Sequence, residues 1–288
     1  MSLNTFKLMA PAKINLFLHI TGKREDGYHL LQSAMIFVDV GDDLEFSRHD
    51  GLFLDVEGPF AGDMPDPHEN LVCKAAQLLA AEYKMAASGQ VTLTKKLPVA
   101  SGIAGGSSDA AMALKGFARL WGLPDEQNRL QKIAQKLGAD VPACLYRQPV
   151  WAEGTGEKIT RLPDMPEMHF VLANPMVPTP TPEVFRRFRN KFSPPLQFSG
   201  RRKSASEWVA DLKIYRNDLT DAALEVTPHI KDVLEALRQT PGCHFARLSG
   251  SGATCFGVYD HPETAMAAVH LIRQRQPRWW VVAAGLLK

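Results

Sequence analysis

The strongest chemical signal in the sequence is the run Pro98, Val99, Ala100, Ser101, Gly102, Ile103, Ala104, Gly105, Gly106, Ser107, Ser108, Asp109. A glycine-bearing turn that opens directly into a helix exposes backbone N–H groups that have no intrahelical partner. The helix dipole adds partial positive charge at the same end, favouring an anion by about 0.3–1 kcal/mol. Gly105 and Gly106 let a phosphate approach the backbone with no Cβ in the way. Ser107 and Ser108 add hydroxyl groups, and Ser108 is the candidate cation ligand. These residue types describe an anion cradle. The plain alternative is a flexible loop followed by a serine-capped helix. The run is not a Walker A loop, because no Gly-Lys-Ser/Thr ends it, and it lacks Gly-x-Gly-x-x-Gly spacing.

Two further glycine segments are weaker. Leu248-Ser-Gly250-Ser-Gly252-Ala reads first as a strand-connecting turn, and second as a loop that approaches a phosphate or the first loop. Gly154-Thr-Gly156-Glu157 reads as a turn. Other patterns fall away. His68-Glu69 lacks the second histidine of a zinc-protease helix, Cys243-His244 has no partner pair at metal spacing, and no Gly-x-Ser-x-Gly elbow occurs. Arg201-Arg202-Lys203 reads as a solvated charge run.

The elements that must carry these residues follow from periodicity. Residues 14–20 alternate, with Ile14, Leu16, Leu18 and Ile20 on one face and Lys13, Asn15, Phe17 and His19 on the other, as in a half-buried strand. Asp26-Gly27 is a turn signal, and strands are expected over 34–40, 43–46, 52–56 and 91–97. Asn70 is placed to cap a helix with Leu71, Ala75, Leu78 and Leu79 on one stripe. Helices are expected over 109–121 and 125–137, the latter closed by Gly138, and Asp140-Val-Pro142 restarts the chain as a capped helix. A boundary falls near Gly154, giving domains over 1–155 and 156–288. Beyond it come a strand over 169–173 and a mobile surface insertion over 186–206. A helix over 227–239, strands over 243–248 and 254–259, a helix over 262–275 and a strand over 279–284 complete the chain. Strands and helices interleave in both halves, so the class is α+β with two layered domains.

Composition excludes several classes. The chain has 288 residues, 45% hydrophobic and 22% charged, which excludes wholesale disorder. A formal net charge of +2 argues against a dedicated nucleic-acid binder. The apolar stretch 279–287 is shorter than the roughly 20 residues a bilayer needs, and no signal peptide is read at the N-terminus. Four cysteines far apart in the chain fit reduced thiols in a cytoplasmic protein.

Taken together, Ala10-Pro-Ala-Lys13-Ile-Asn15-Leu, Asp26-Gly-Tyr28-His29, the 98–111 run, Gly138-Ala-Asp140-Val-Pro142, Asn217-Asp-Leu219 and Leu248-Ser-Gly-Ser-Gly-Ala-Thr resemble the GHMP family of small-molecule kinases: galactokinase, homoserine kinase, mevalonate kinase and phosphomevalonate kinase. The opening block is similar to the branch whose acceptor carries a cytidine diphosphate group. The family loop is usually richer in glycine; here Ala100, Ser101 and Ala104 replace three glycines, and positions that need a positive φ are strained by a Cβ.

The resemblance implies a two-domain fold of layered mixed sheets and helices, with the active site in the cleft between domains. It implies ATP and Mg²⁺ as cofactors, and phosphorylation of an alcohol, the 2-hydroxyl of a methylerythritol unit. By it, Asp140 is the base and Lys13 stabilises developing negative charge. Without it, Asp140 reads as a helix cap and Lys13 as an edge-strand surface lysine. It implies that residues 98–108 wrap the ATP phosphates, with Asn70 and Lys95 near the adenine. Tyr28, His29, Phe185 and Asn15 then meet the cytidine end, and Thr181 the diphosphate. The plain reading of Tyr28 and Phe185 is core packing. Rivals are another kinase of the family, of mevalonate or homoserine type, or a non-catalytic nucleotide- or RNA-binding member. The expected partner is a small molecule, with no nucleic acid and no membrane; a weak homodimer is compatible with all of this.

Overall fold

The computed structural model describes residues 5–64, 66, 69–124, 126–189, 191–197 and 204–287. The chain forms two compact units. The first is drawn from the described parts of Met1–Ala12, Gly41–Val99 and Ala104–Tyr146, the second from those of Lys13–Val40, Ala100–Ile103 and Arg147–Lys288. Strands β1 (Phe6–Asn15) and β3 (His29–Ser47) each contribute to both units, so the units do not follow chain order as the expected division at residue 155 does. Strand β2 (His19–Lys23) lies between them in sequence. The expected strand over 14–20 is therefore split, and the two expected strands over 34–40 and 43–46 are one. Gly41 lies within β3 at a point where a Cβ would fall 2.2 Å from the carbonyl oxygen of Ala10, so glycine is required there by close approach.

In the first unit, β4 (Leu52–Glu57) runs parallel to β5 (Gly89–Thr94), and β5 pairs antiparallel with the second half of β3, Asp43 opposite Thr94 and Ser47 opposite Gln90. Helix α1 (Leu71–Glu82) starts at the expected cap, with Asn70 Oδ1 accepting from the Val72 N–H at 2.9 Å. It packs on α2 (Gly105–Leu120). Gly116 on α2 makes room for Phe46, which meets Phe117 edge-on at 5.5 Å. Helices α3 (Gln127–Leu137) and α4 (Val141–Cys144) follow. Asp125, the expected start of α3, lies outside the described residues.

In the second unit, β6 (Val150–Gly154) pairs with the first half of β3 and forms a hairpin with β7 (Lys158–Arg161). The Gly154-Thr-Gly156 segment is the turn of that hairpin, tied by a 2.6 Å bond from the Thr155 N–H to Glu157. Next come β8 (His169–Asn174), α5 (Thr181–Arg187), α6 (Ala205–Ile214), α7 (Thr220–Val226), α8 (His229–Arg238), β9 (Phe245–Leu248), β10 (Cys255–Tyr259), α9 (Pro262–Arg275) and β11 (Trp280–Gly285). The second sheet has the order β11-β8-β10-β9 and is antiparallel throughout. Ile230, Val233, Leu234 and Leu237 form the apolar stripe that sets α8 on this sheet, beside Val269 and Ile272 of α9.

The expected mobile insertion over 186–206 is fastened where it is described. The Ser193 N–H donates to the Ile20 carbonyl at 2.8 Å, and its hydroxyl to Asp218 at 2.7 Å. The Leu196 N–H donates to Gln32 at 2.7 Å. Residue 190 and the charge run 201–203 lie outside the described residues. No helix among the described residues is long and apolar enough to cross a membrane.

The face of β1 and β2 that alternation assigns to solvent is buried. Lys13, Asn15, Phe17 and His19 are all inside. His19 packs against Phe17 and Tyr215, and its Nε2 accepts from the Arg216 N–H at 3.2 Å, which requires a neutral ring. Burial lowers its pKa; the Asp218 carboxylate opposes this, while Arg216 and Arg247 add to it. The unfolded chain therefore binds the proton more readily below the ordinary histidine value of about 6.5, and stability falls as pH drops through that range. Urea unfolding at a series of pH values should show this loss between about pH 7 and 5, and His19→Gln should flatten the slope. An unchanged slope in the variant would assign the loss to other groups.

Candidate functional site

The glycine run is held from beneath in the first unit by an ion triad. Lys95 follows β5, Asp42 lies on β3 and Asp109 in the second turn of α2. All three are at most 1% exposed. The Lys95 ammonium contacts Asp42 and lies 2.8 Å from Asp109. Asp42 also accepts the N–H groups of Lys96 at 2.6 Å and Leu97 at 2.8 Å. Burial opposes the charged ammonium, but attraction by Asp109 and Asp42 overcomes it and raises the Lys95 pKa. Burial pushes the Asp109 carboxyl up to about 7, with Asp42 adding to the rise and Lys95 opposing it. Lys95, expected near the adenine, is thus enclosed by its own carboxylates; its place is under the loop. A Cβ at Gly105 would lie 3.1 Å from this ammonium.

Helix α2 begins at Gly105, four residues earlier than the expected Asp109. Gly105, Gly106, Ser107 and Ser108 are its first turn, because Ala104 adopts a left-handed conformation (φ 53°) that ends the loop, while Asp109 is pinned from within. The serine cap of the plain alternative is absent: the N-cap is Ala104, which has no side-chain acceptor, and the first bond of the ladder is Ser108 N–H to the Ala104 carbonyl at 2.8 Å. The N–H groups of Gly105, Gly106 and Ser107 precede that ladder. Among the described residues, the buried Ser108 Oγ and Asn70 Nδ2 have no hydrogen-bond partner. Asp140 precedes α4, and its side chain makes no capping bond to that helix. Pro98 and Val99 belong to this unit as well.

In the second unit, the middle of the run meets the other glycine segment. Gly102 (φ +77°) has no room for a Cβ, which would lie 2.6 Å from the Ser249 carbonyl oxygen and 2.7 Å from that of Gly252. The Thr254 N–H donates to the Ser101 carbonyl at 3.0 Å, and the Ser249 hydroxyl to the Gly102 carbonyl at 3.0 Å. The 248–253 segment is therefore the loop's packing partner as well as a turn. Asn217 clamps it, its amide donating to the carbonyls of Leu248 at 2.9 Å and Gly250 at 2.7 Å. Lys13, far from being a surface lysine, is 3% exposed; its N–H donates to the Ile103 carbonyl at 3.0 Å and its ammonium to Asn15 Oδ1 at 2.7 Å. Asn15 in turn donates through Nδ2 to Ser33 Oγ at 2.8 Å. Ser33 and Ser249 are the residues that sequence reasoning passes over, since lone serines carry no local signal.

His29 and Phe185 come together in the same unit, ring centroids 5.3 Å apart at 31°, with Phe188 edge-on to His29 at 5.6 Å. Tyr28 is 66% exposed at the Asp26-Gly27 turn, so it is not a core residue. Phe185 is half-buried against the core. Thr181 opens α5 and its hydroxyl bonds that of Ser251 at 2.8 Å.

The model of the GHMP kinases N terminal domain matches residues 70–148, and that of GHMP kinases C terminal matches 201–275. A 4-diphosphocytidyl-2-C-methyl-D-erythritol kinase of Paramagnetospirillum magneticum is 45% identical over 285 residues, covering 99% of this chain and 100% of that one. One of Granulibacter bethesdensis is 45% identical over 283 residues, covering 97% and 94%. A crystal structure of 4-(cytidine 5'-diphospho)-2C-methyl-D-erythritol kinase superimposes with a TM-score of 0.79 at 31% identity, covering 97% of this chain and 99% of that one. Homoserine kinase from Cytophaga hutchinsonii shares the fold, with a TM-score of 0.71 at 17% identity over 99% and 95%.

Replacing the enclosed ammonium tests the triad. Lys95→Met leaves two buried carboxylates without their counter-ion, and chemical denaturation should show a loss of about 3–5 kcal/mol. A loss below about 1 kcal/mol would mean that the triad does not hold the loop.

Proposed function

The chain belongs to the GHMP kinases, and within them to the 4-diphosphocytidyl-2-C-methyl-D-erythritol kinases, and from that membership we propose how its own residues perform the reaction. The enzyme transfers the γ-phosphoryl group of ATP to the 2-hydroxyl of 4-diphosphocytidyl-2-C-methyl-D-erythritol, giving the 2-phosphate and ADP in the non-mevalonate route to isopentenyl diphosphate. The observation that carries our assignment of the phosphate site is the first turn of α2: amides with no side-chain cap, two glycines and an unpartnered buried serine hydroxyl.

In our reading, the N–H groups of Gly105, Gly106 and Ser107 hold the phosphate oxygens, and residues 98–104 bring the backbone over them. Asn70 Nδ2, buried and unpartnered, is offered to the adenine end. Lys95 acts beneath the loop and does not touch the nucleotide. For Mg²⁺ the donor set fits a single protein ligand, Ser108; among the described residues no group of three or more His, Cys, Asp or Glu side chains can hold a metal. Magnesium usually keeps water and phosphate oxygens as its other ligands, and when bound it neutralises charge on them.

Phosphoryl transfer depends on alignment and charge neutralisation more than on covalent help from the protein. We assign Asp140 as the base that takes the 2-hydroxyl proton as the oxygen attacks the γ-phosphorus. Lys13 supplies the positive charge, oriented by Asn15. Phe185 and Tyr28 stack on the cytosine, with His29 at its edge, and Thr181 meets the diphosphate. In chain order we assign ATP binding to 1–155 and a C-terminal domain to 156–288. The four cysteines are reduced, outside any disulfide, which supports a cytoplasmic enzyme.

Two measurements test these roles. Asp140→Asn should lower kcat by about 10²–10⁴-fold while ATP affinity holds; near-normal kcat would remove it as the base. Phe185→Ala should raise KM for the cytidylyl substrate roughly 10- to 100-fold and spare ATP, since stacking on a base is worth about 1–3 kcal/mol. Equal weakening of both substrates would refute the stacking assignment.

A further inference from the structure

We propose that Ser33 is a positioning residue for the phosphoryl transfer: it fixes the direction of the Asn15 amide and, through it, the place of the Lys13 ammonium. This rests on the kinase reading above. Ser33 lies on β3 and is 0% exposed. Its Oγ lies 2.5 Å from the carbonyl oxygen of Phe17. A carbonyl only accepts, and a hydroxyl has one hydrogen, so that hydrogen is committed to Phe17. The Ser33 oxygen is left with lone pairs alone towards its other neighbour.

That neighbour is the side chain of Asn15, at 2.8 Å. Because Ser33 can only accept there, Asn15 must present its NH₂ to it. The other end of the amide, Oδ1, then faces Lys13, where the ammonium donates to it at 2.7 Å. A reversed amide would set NH₂ hydrogens against ammonium hydrogens, two sets of donors without an acceptor between them. Ser249 fixes the backbone of Asn15 by the same logic. Its hydroxyl hydrogen goes to the Gly102 carbonyl at 3.0 Å, so its oxygen accepts the Asn15 N–H at 3.2 Å. Asn15 is thus oriented at both ends, and its Oδ1 is held toward the Lys13 ammonium.

Ser33 is enclosed and reaches Lys13 through Asn15, so removing it should move kcat rather than ATP binding. A double-mutant cycle on kcat separates this from a loss of packing. Ser33→Ala should lower kcat by about 10–100-fold, the scale on which a misplaced catalytic group costs rate, with KM for ATP unchanged within about twofold. In an Asn15→Asp background the side chain offers an oxygen to Lys13 whichever way it turns. There the same Ser33→Ala change should cost less than about threefold. Should Ser33→Ala fail to fold, Ser33→Cys, of similar shape but a weak acceptor, takes its place in the cycle.

Equal losses of kcat in the two backgrounds, or a single variant within about twofold of the parent, would overturn the inference. A parent chain without phosphoryl transfer would instead overturn the kinase reading on which it rests.

Discussion

An ammonium cut off from water is the fixed point of the glycine loop. Withdrawing an ion from solvent costs several kcal/mol, and the cost is offset only when oppositely charged groups meet it in good geometry. Lys95 has two such groups, Asp42 and Asp109, 53 residues before it and 14 after it. None of the three is tolerable in its place without the others, so strand, turn and helix must come together at one step. Asp42 extends the constraint by gathering the N–H groups of Lys96 and Leu97, which fixes the chain where it leaves β5. Both stems of the loop are then set before any ligand arrives. Pre-set donors need no reorganisation when charge moves in the reaction, and that is the condition under which they are most effective.

The loop itself carries strain that this anchoring must sustain. Ala100 and Ala104 both adopt positive φ, at 50° and 53°, where an L-residue pays roughly 1–2 kcal/mol. Alanine at 104 nevertheless does something that a better helix starter would not. Serine, threonine or aspartate at an N-cap turns its side-chain oxygen onto the second or third amide of the helix. That bond would compete with a phosphate for the same donors. A cap without an acceptor leaves the amides of the first turn without a side-chain partner, while the triad anchors the helix at Asp109.

Legibility in the sequence tracks how local the cause is. The start of α1 was readable because Asn70 caps the amide of Val72, two residues away. The stripe on α8 was readable because its burial follows helical spacing. The start of α2 was not, since Gly-Gly-Ser-Ser has the composition of a turn and the anchor that makes it helical, Lys95 on Asp109, arises from tertiary structure. Strand β3 looked like two strands because Gly41-Asp42-Asp43 mimics a turn; the close approach of Ala10 explains the glycine, and the buried lysine explains Asp42. Alternation assigned Lys13 and Asn15 to a wet face, because period two shows only that the faces differ and cannot reveal that both are covered. Motifs single out Gly102, Lys13 and Asp140 as candidates. They give no signal for the hydroxyls of Ser33 and Ser249 that meet Asn15, which lie 18 and 234 residues from it.

The pattern of replaced glycines follows from the same geometry. Relative to the usual family loop, this chain substitutes positions 100, 101 and 104 and keeps 102. Ala100 is exposed, so its methyl group meets water and only the backbone is strained. Ala104 ends the loop. Gly102 has neither escape. Its Cα faces the backbone of Ser249 and Gly252, and backbone atoms cannot step aside as the far end of a side chain can. The segment that carries those atoms is in turn held by Asn217, which donates to the carbonyls of Leu248 and Gly250 and accepts from the Leu219 N–H at 3.0 Å. Relief at 102 would have to displace Gly250, Asn217 and the start of α7 together, whereas relief at 100 displaces solvent. A loop can therefore lose glycines wherever the penalty is torsional, and must keep the one where two backbones meet.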